Sequence, residues 1–197
     1  MQQALFARQR RHVAGSNSAS RRRARSAWAV PLALIAAVAA GCAAHPSIPE
    51  AVANLRPSSS STVSGTVHFR QVSANDVRIS GTVRGLQPNS EHGFHIHEKG
   101  DCSAKDASSA GEHFNPHDGH HGRPDDAASH AGDLPSLHAD STGTATFSID
   151  THQIKIGKGA GDIIGRSLVV NRDADDHLSQ PAGDSGPRFA CAVIREN

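Results

Sequence analysis

The 197-residue chain sets 20 Lys and Arg against 19 Asp and Glu, and carries 14 His but no Tyr. The near-neutral total hides a split: residues 1–41 hold seven Arg and no acid, whereas from Cys42 onward 13 bases face 19 acids, a net charge of −6. An acidic body whose chain has its one Trp, Trp28, in the basic part lacks both the cationic surface and the stacking aromatics of a nucleic-acid binder, so no nucleic-acid partner is expected. Histidine is the excess that needs a physical reason.

In chain order, the basic run Ser20-Arg21-Arg22-Arg23-Ala24-Arg25 precedes Ala27 to Ala40, an uncharged stretch interrupted by Pro31. A basic stretch, a short apolar stretch and small residues make the plan of a secretory signal, and the apolar part is too short to span a bilayer as a helix. The stretch ends Ala39-Ala40-Gly41-Cys42, which resembles a bacterial lipoprotein cleavage site. The expectation is a lipoprotein-type signal over 1–41 and a lipid on Cys42, anchoring the protein to the bacterial envelope on the periplasmic side. Plain cleavage nearby, leaving Cys42 as a spare thiol, is the other reading. If Cys42 carries lipid, Cys102 and Cys191 remain as a pair. In an oxidising compartment they would close a loop of about 90 residues, with an entropic stabilisation of about 4–5 kcal/mol. Reduced core thiols are the alternative.

Residues 42–61 contain Pro46, Pro49, Pro57 and the run Ser58 to Ser61, and read as a flexible tether. From residue 62 the apolar period is two. Val63, Gly65, Val67 and Phe69 alternate with polar residues, as do Val77, Ile79, Gly81 and Val83; Ala145-Phe147-Ile149, Ile164-Leu168-Val170 and Phe189 to Ile194 follow. Turn signals separate these runs, and no stretch offers three turns of amphipathic helix. Residues 62–197 are therefore expected to form an all-β domain, an antiparallel sandwich or barrel. Two segments break the strand rhythm, 99–137 and 172–188, and loops of that length in a compact domain are commonly functional.

The first of these segments is rich in metal ligands. In Gly93-Phe94-His95-Ile96-His97 the strand period puts Phe94 and Ile96 on one face and His95 and His97 on the other, about 6.5–7 Å apart along the strand and able to lean onto one ion. Nine histidines fall between His92 and His138. His113, His121, His130 and Asp133 lie in the loop, and three imidazoles with one carboxylate suit zinc. Imidazole-only coordination on a strand suits copper or zinc. His117, His120 and His138 read equally well as solvated residues.

Four motifs in order, Gly93-Phe94-His95-Ile96-His97, Gly111-Glu112-His113-Phe114-Asn115-Pro116, His130-Ala131-Gly132-Asp133-Leu134 and Gly186-Pro187-Arg188-Phe189-Ala190-Cys191, resemble the copper/zinc superoxide dismutase family, and most of all its bacterial periplasmic branch. The likeness runs from about Thr62 to Ile194. It implies a Greek-key β-barrel of about eight antiparallel strands with two long functional loops, and disproportionation of superoxide to oxygen and hydrogen peroxide. It makes His95 and His97 copper ligands, His113 the imidazole bridging copper and zinc, and His121, His130 and Asp133 the rest of the zinc set. Cys102 and Cys191 match the family disulfide, Arg188 the arginine that draws in the superoxide anion, and Asp175 a carboxylate linking a copper-ligand His to a zinc-ligand His. Lys99 is a further candidate for attracting the anion. A homodimer is compatible with the resemblance, since bacterial members include monomers and dimers.

One position departs. Where the family has its fourth copper-ligand His, after Leu168-Val169-Val170, this chain has Asn171. A carboxamide oxygen is a poor copper donor beside imidazole, so copper should bind less tightly and the reduced state should be favoured. Two readings follow: a dismutase of lowered activity, or a zinc-binding dismutase-like protein that binds, stores or delivers copper, since copper chaperones of this fold also lack that His. His177, six residues further on, is the nearest histidine that could substitute as a ligand.

Overall fold

The structure, a computed structural model, describes residues 47–59, 61–124 and 126–197. The expected signal segment, 1–41, and the lipidation residue Cys42 lie outside these residues. The described chain contains ten strands in order: β1 (Glu50–Pro57), β2 (Ser64–Gln71), β3 (Val77–Arg84), β4 (Glu91–His92), β5 (Phe94–His97), β6 (Leu137–His138), β7 (Thr144–Thr151), β8 (Ser167–Asn171), β9 (Arg188–Val193) and β10 (Arg195–Glu196). The helical content among the described residues is one 3-10 turn, Ser108–Ala110, so the all-β expectation holds. No described helix is long and apolar enough to cross a membrane.

The main sheet is antiparallel, in the order β5-β8-β9-β1-β2-β3-β7, with β10 also paired to β1 and a separate β4-β6 pair. Alternation sets the register. Val67 and Phe69 of β2, with Val77, Ile79 and Val83 of β3, point into the core, while Thr66, His68, Arg70 and Arg78 face outward. The sheet curls on itself: the Phe94 ring on edge strand β5 meets the Phe147 ring on the opposite edge strand β7, centroids 5.4 Å apart, edge to face. One contiguous apolar cluster, including Phe69, Phe94, Ile96, Leu134, Leu137 and Leu168, fills the interior.

The tether expected over 42–61 is corrected by β1. Glu50–Pro57 hydrogen-bonds along β2 through Glu50↔Arg70 to Leu55↔Gly65, and reaches β9 at Arg56↔Cys191. Its alternation is real but faint: Ala51, Ala53 and Leu55 are buried, and two of the three are alanines that add little apolar weight to a sequence window.

Edge strand β5 is covered by the long loop rather than by another strand. Ile96 N–H donates to Gly132 O at 2.9 Å, Phe114 N–H to Ile96 O at 2.8 Å, and Gly132 N–H to Phe114 O at 2.9 Å, a closed ring of three backbone bonds. Gly132 is required there, because a Cβ would collide with the Ile96 carbonyl. Two short bridges, His95↔Asp133 and His97↔His113, follow from this docking. The loop is also tied by the disulfide Cys102–Cys191, across a separation of 89 residues.

Candidate metal centre

On β5 all four side chains are buried: Phe94 and Ile96 belong to the apolar core, while His95 and His97 face the docked loop. The loop brings His113 against both. The His95 and His113 rings stack with centroids 4.0 Å apart, and His97 lies edge-on to His113 at 4.9 Å. Potential donor atoms of His95, His97 and His113 lie within 4.8 Å of one another, as do those of His113, His121, His130 and Asp133, so His113 belongs to both groups.

The second group is built around one carboxylate. Asp133 Oδ1 accepts from His113 Nδ1 at 2.8 Å and His121 Nδ1 at 3.1 Å, with His130 Nδ1 at 3.3 Å. Its Oδ2 accepts from the backbone N–H of Gly122 at 3.1 Å and of His130 at 3.2 Å. Burial opposes the charge on Asp133, but the imidazoles outweigh it and hold the carboxyl far below its usual range. Burial likewise opposes a charged His121, yet bonds to Asp133 and Asp175 raise it to about 9. His113 goes the other way, down to about 4, mainly by burial and then by neighbouring His95. It is therefore neutral at pH 7, donating from Nδ1 and leaving Nε2 as a lone pair for the first group.

Asp175 connects the two groups: Oδ2 accepts from His95 Nε2 at 2.7 Å and Oδ1 from His121 Nε2 at 2.8 Å. Such a partner orients a ring and selects which nitrogen is available to an ion. His97 is oriented by backbone, with Nδ1 donating to Gly111 O at 2.9 Å, and burial, then His113 and Arg188, push its pKa well below the ordinary value.

The chemistry of the donor sets can be tested on buried atoms without partners. His97 Nε2 and His130 Nδ1 are both buried without a hydrogen bond, one in each group. Orphaned buried nitrogens are costly unless something coordinates them. With a four-donor set of three imidazoles and a carboxylate, these residues fit zinc; three imidazoles on the strand side fit copper.

Asn171 stands beside the first group. A bulge between Val170 and Asn171 at the end of β8 turns its side chain inward. Its Oδ1 lies 3.3 Å from His95 Nδ1, and its Nδ2–H donates to Gly186 O at 3.1 Å. The nitrogen end of the carboxamide is thus bonded, and its oxygen faces His95. His177 does not replace it. Its backbone N–H donates to Asp175 Oδ1 at 2.7 Å, and its ring groups with His121 and Asp175 rather than with His95 and His97.

A cavity of about 460 Å³ opens onto this side, lined by His97, His113, Asn171, Gln180, Ser185 and Arg188 among others. Arg188 is clamped there, donating from Nη1 to Ala107 O at 2.8 Å and from Nη2 to Gly111 O at 2.7 Å. Lys99 is exposed, 3.6 Å from Glu98, and does not line this cavity. Of the remaining loop histidines, His117, His120 and His138 are exposed, and His92 is a satisfied interior residue, with Nδ1 donating to Asn171 O and Nε2 paired to Ser90 Oγ.

Sequence reasoning missed two supports. Gln180 clamps the backbone of His121, accepting its N–H at 2.9 Å and donating to its carbonyl at 2.8 Å. Gly183 has a positive φ of 67° and packs so closely on Asp175 and His121 that a Cβ would collide with Asp175. A glycine and an amide in an irregular loop carry no periodic signal.

Comparison with known proteins identifies the family. The family profile of copper/zinc superoxide dismutase (SODC) matches residues 63–194. The copper chaperone for superoxide dismutase of Rattus norvegicus is 46% identical over 141 residues, covering 68% of this chain and 49% of its own. The protein of the same name from Homo sapiens is 40% identical over 139 residues, 68% and 48% of the two chains. The chain thus spans about half the length of the curated relatives it matches. A crystal structure of the clock protein EA4 superposes with a TM-score of 0.69 at 36% identity, covering 77% of this chain and 97% of that one. The expected bacterial periplasmic branch is not what these comparisons show, since both curated relatives carry the name copper chaperone for superoxide dismutase. By fold, motif order and profile, the chain belongs to the copper/zinc superoxide dismutase family.

Proposed function

We propose that this protein is a copper carrier built on the dismutase fold, with zinc as a structural ion and copper as cargo. The observation that carries the reading is the Asn171 carboxamide, bonded to Gly186 and facing His95, where the family resemblance leads one to expect a fourth copper-ligand His. Three imidazoles hold copper less firmly than four, which suits an ion that must be handed on. The relatives' names, copper chaperone for superoxide dismutase, support the reading and nominate a superoxide dismutase as acceptor.

Bound copper supplies one-electron redox chemistry, and bound zinc a fixed positive charge beside the shared imidazole. The protein's own residues do the rest. Gly111 O holds the His97 proton on Nδ1 and leaves Nε2 free to coordinate. Asp175 holds the His95 and His121 rings in place from one carboxylate.

A second reading, a dismutase of lowered rate acting on the superoxide anion, is favoured by Arg188, whose guanidinium is clamped in the cavity that His97 and His113 line. Both readings extend to location: the arginine block and the sequence before Cys42 support export and lipid anchoring in the bacterial periplasm, where the Cys102–Cys191 disulfide is stable.

The test is Asn171→His. Wild type is expected to surrender copper to a copper-free dismutase and to clear superoxide no faster than free copper. The variant is expected to bind copper at least about tenfold more tightly, the lower end of what even outer-shell changes alter, and to gain superoxide decay. A wild type that clears superoxide well above background, unchanged by the substitution, overturns the carrier reading in favour of the enzyme.

A further inference from the structure

A cavity of about 730 Å³ opens where β1, β9 and β10 meet the start of the long loop. Arg56, Lys105 and Arg195 line it, with no acidic residue and no histidine among its described lining. All three cations are exposed, and among the described residues none enters an ion pair or side-chain hydrogen bond. In a body with 13 bases against 19 acids, such a cavity is an electrostatic exception. Its wall also contains the disulfide: Cys191 is 6% exposed, Cys102 is half-buried, and the strand register sets Arg56 directly opposite Cys191.

We propose that this cavity binds an anionic low-molecular-weight thiol of about tripeptide size and directs it onto the Cys102–Cys191 bond. The volume falls in the range that holds small ligands, about 300–1,000 Å³. Three cations without a counter-charge favour a ligand carrying carboxylates, and Val52, Ala104 and Val193 give its apolar part a surface. A second copy of this chain is disfavoured as the occupant, because an isologous contact would set the three cations against the same three.

The reaction is thiol–disulfide exchange. The incoming thiolate attacks the Sγ of Cys102, the more exposed residue of the pair, and an S–S bond forms between them. The Cys102–Cys191 bond breaks, its electron pair leaves on Cys191 Sγ, and that thiolate takes a proton from solvent. One disulfide is traded for another, with no external oxidant or reductant. The cations act twice, raising the local concentration of the anionic thiol and stabilising the leaving thiolate. The proposal stands independently of the metal reading.

The test reacts the purified full chain, at low salt and equal thiolate concentration, with anionic glutathione or cationic cysteamine, and counts the adduct on Cys102 by peptide mass mapping. Glutathione is expected to react about tenfold faster, with the preference lost at 1 M salt, where the screening length is about 3 Å. The combined substitution Arg56→Gln, Lys105→Gln and Arg195→Gln is expected to level the two thiols. Equal rates on wild type, a preference insensitive to salt, or adduct confined to other cysteines overturns the proposal; the first two need no variant to fold.

Discussion

The two imidazole groups share His113 but are organised by opposite means. Around Asp133, one carboxylate gathers His113 and His121 as donors, with His130 at 3.3 Å, and its second oxygen takes two backbone N–H bonds. The group is cross-linked before any ion arrives. On the strand side, His95 and His97 are placed by the alternation of β5, and each ring takes its orientation from a separate acceptor, Asp175 or Gly111 O. No single acceptor joins those two rings, and the neighbouring position is filled by an amide. A carboxylate at the centre of a donor set makes those donors part of the fold with or without an ion.

The largest effect is expected from removing that centre. Asp133→Ala should abolish stoichiometric zinc uptake and cost about 3–5 kcal/mol in urea unfolding, because it strands buried imidazoles that had shared a charge. Amide exchange over residues 99–136 should accelerate while β2 and β3 stay protected. Uniform protection after the substitution would mean that the three backbone bonds of Ile96, Phe114 and Gly132 hold the loop unaided.

Asp175→Asn is expected to weaken both groups at once, by about 10–100-fold in metal affinity, since Asp175 touches His95 of one and His121 of the other. Competition titrations in which only zinc or only copper affinity changed would break this symmetry.

The metal-free protein should show a stability maximum near pH 6.5. His97 and His113 are held below their ordinary value and fold neutral, so the unfolded chain takes up more protons as pH falls below about 6.5, and stability declines toward about 4, the value for His113. His121, raised to about 9, contributes stability that is complete below about 6.5 and lost as pH rises through 9. Melting temperatures measured without metal that climbed steadily from pH 4 to 9 would contradict this assignment. Smallest of all, His177→Ala should leave copper affinity unchanged within error, because its ring groups with Asp175 and His121 and not with the strand pair.

Much of the barrel was legible because period-two burial is local: Val67 and Phe69, or Val77 and Ile79, declare their shared face from neighbours two residues away. The grouping of the candidate donors was legible for another reason, since coordination chemistry restricts the residue types and the motifs keep their order along the chain. β1 was not, because Ala51 and Ala53 are strand-facing without being strongly apolar, and their burial is settled by β2 and β9 on either side.

Sequence by itself determined which donors exist and that one of the expected imidazoles is a carboxamide, because these are facts of composition at a position. Only the tertiary structure decided that Asp133 sits among three rings, that Asp175 joins the two groups, that the Asn171 amide is bonded to Gly186 and faces His95, and that Arg56, Lys105 and Arg195 line the cavity that holds the disulfide. Those relations join residues that are tens of positions apart, and they arise from the curl of the sheet and the docking of the loop on β5, which no local pattern encodes.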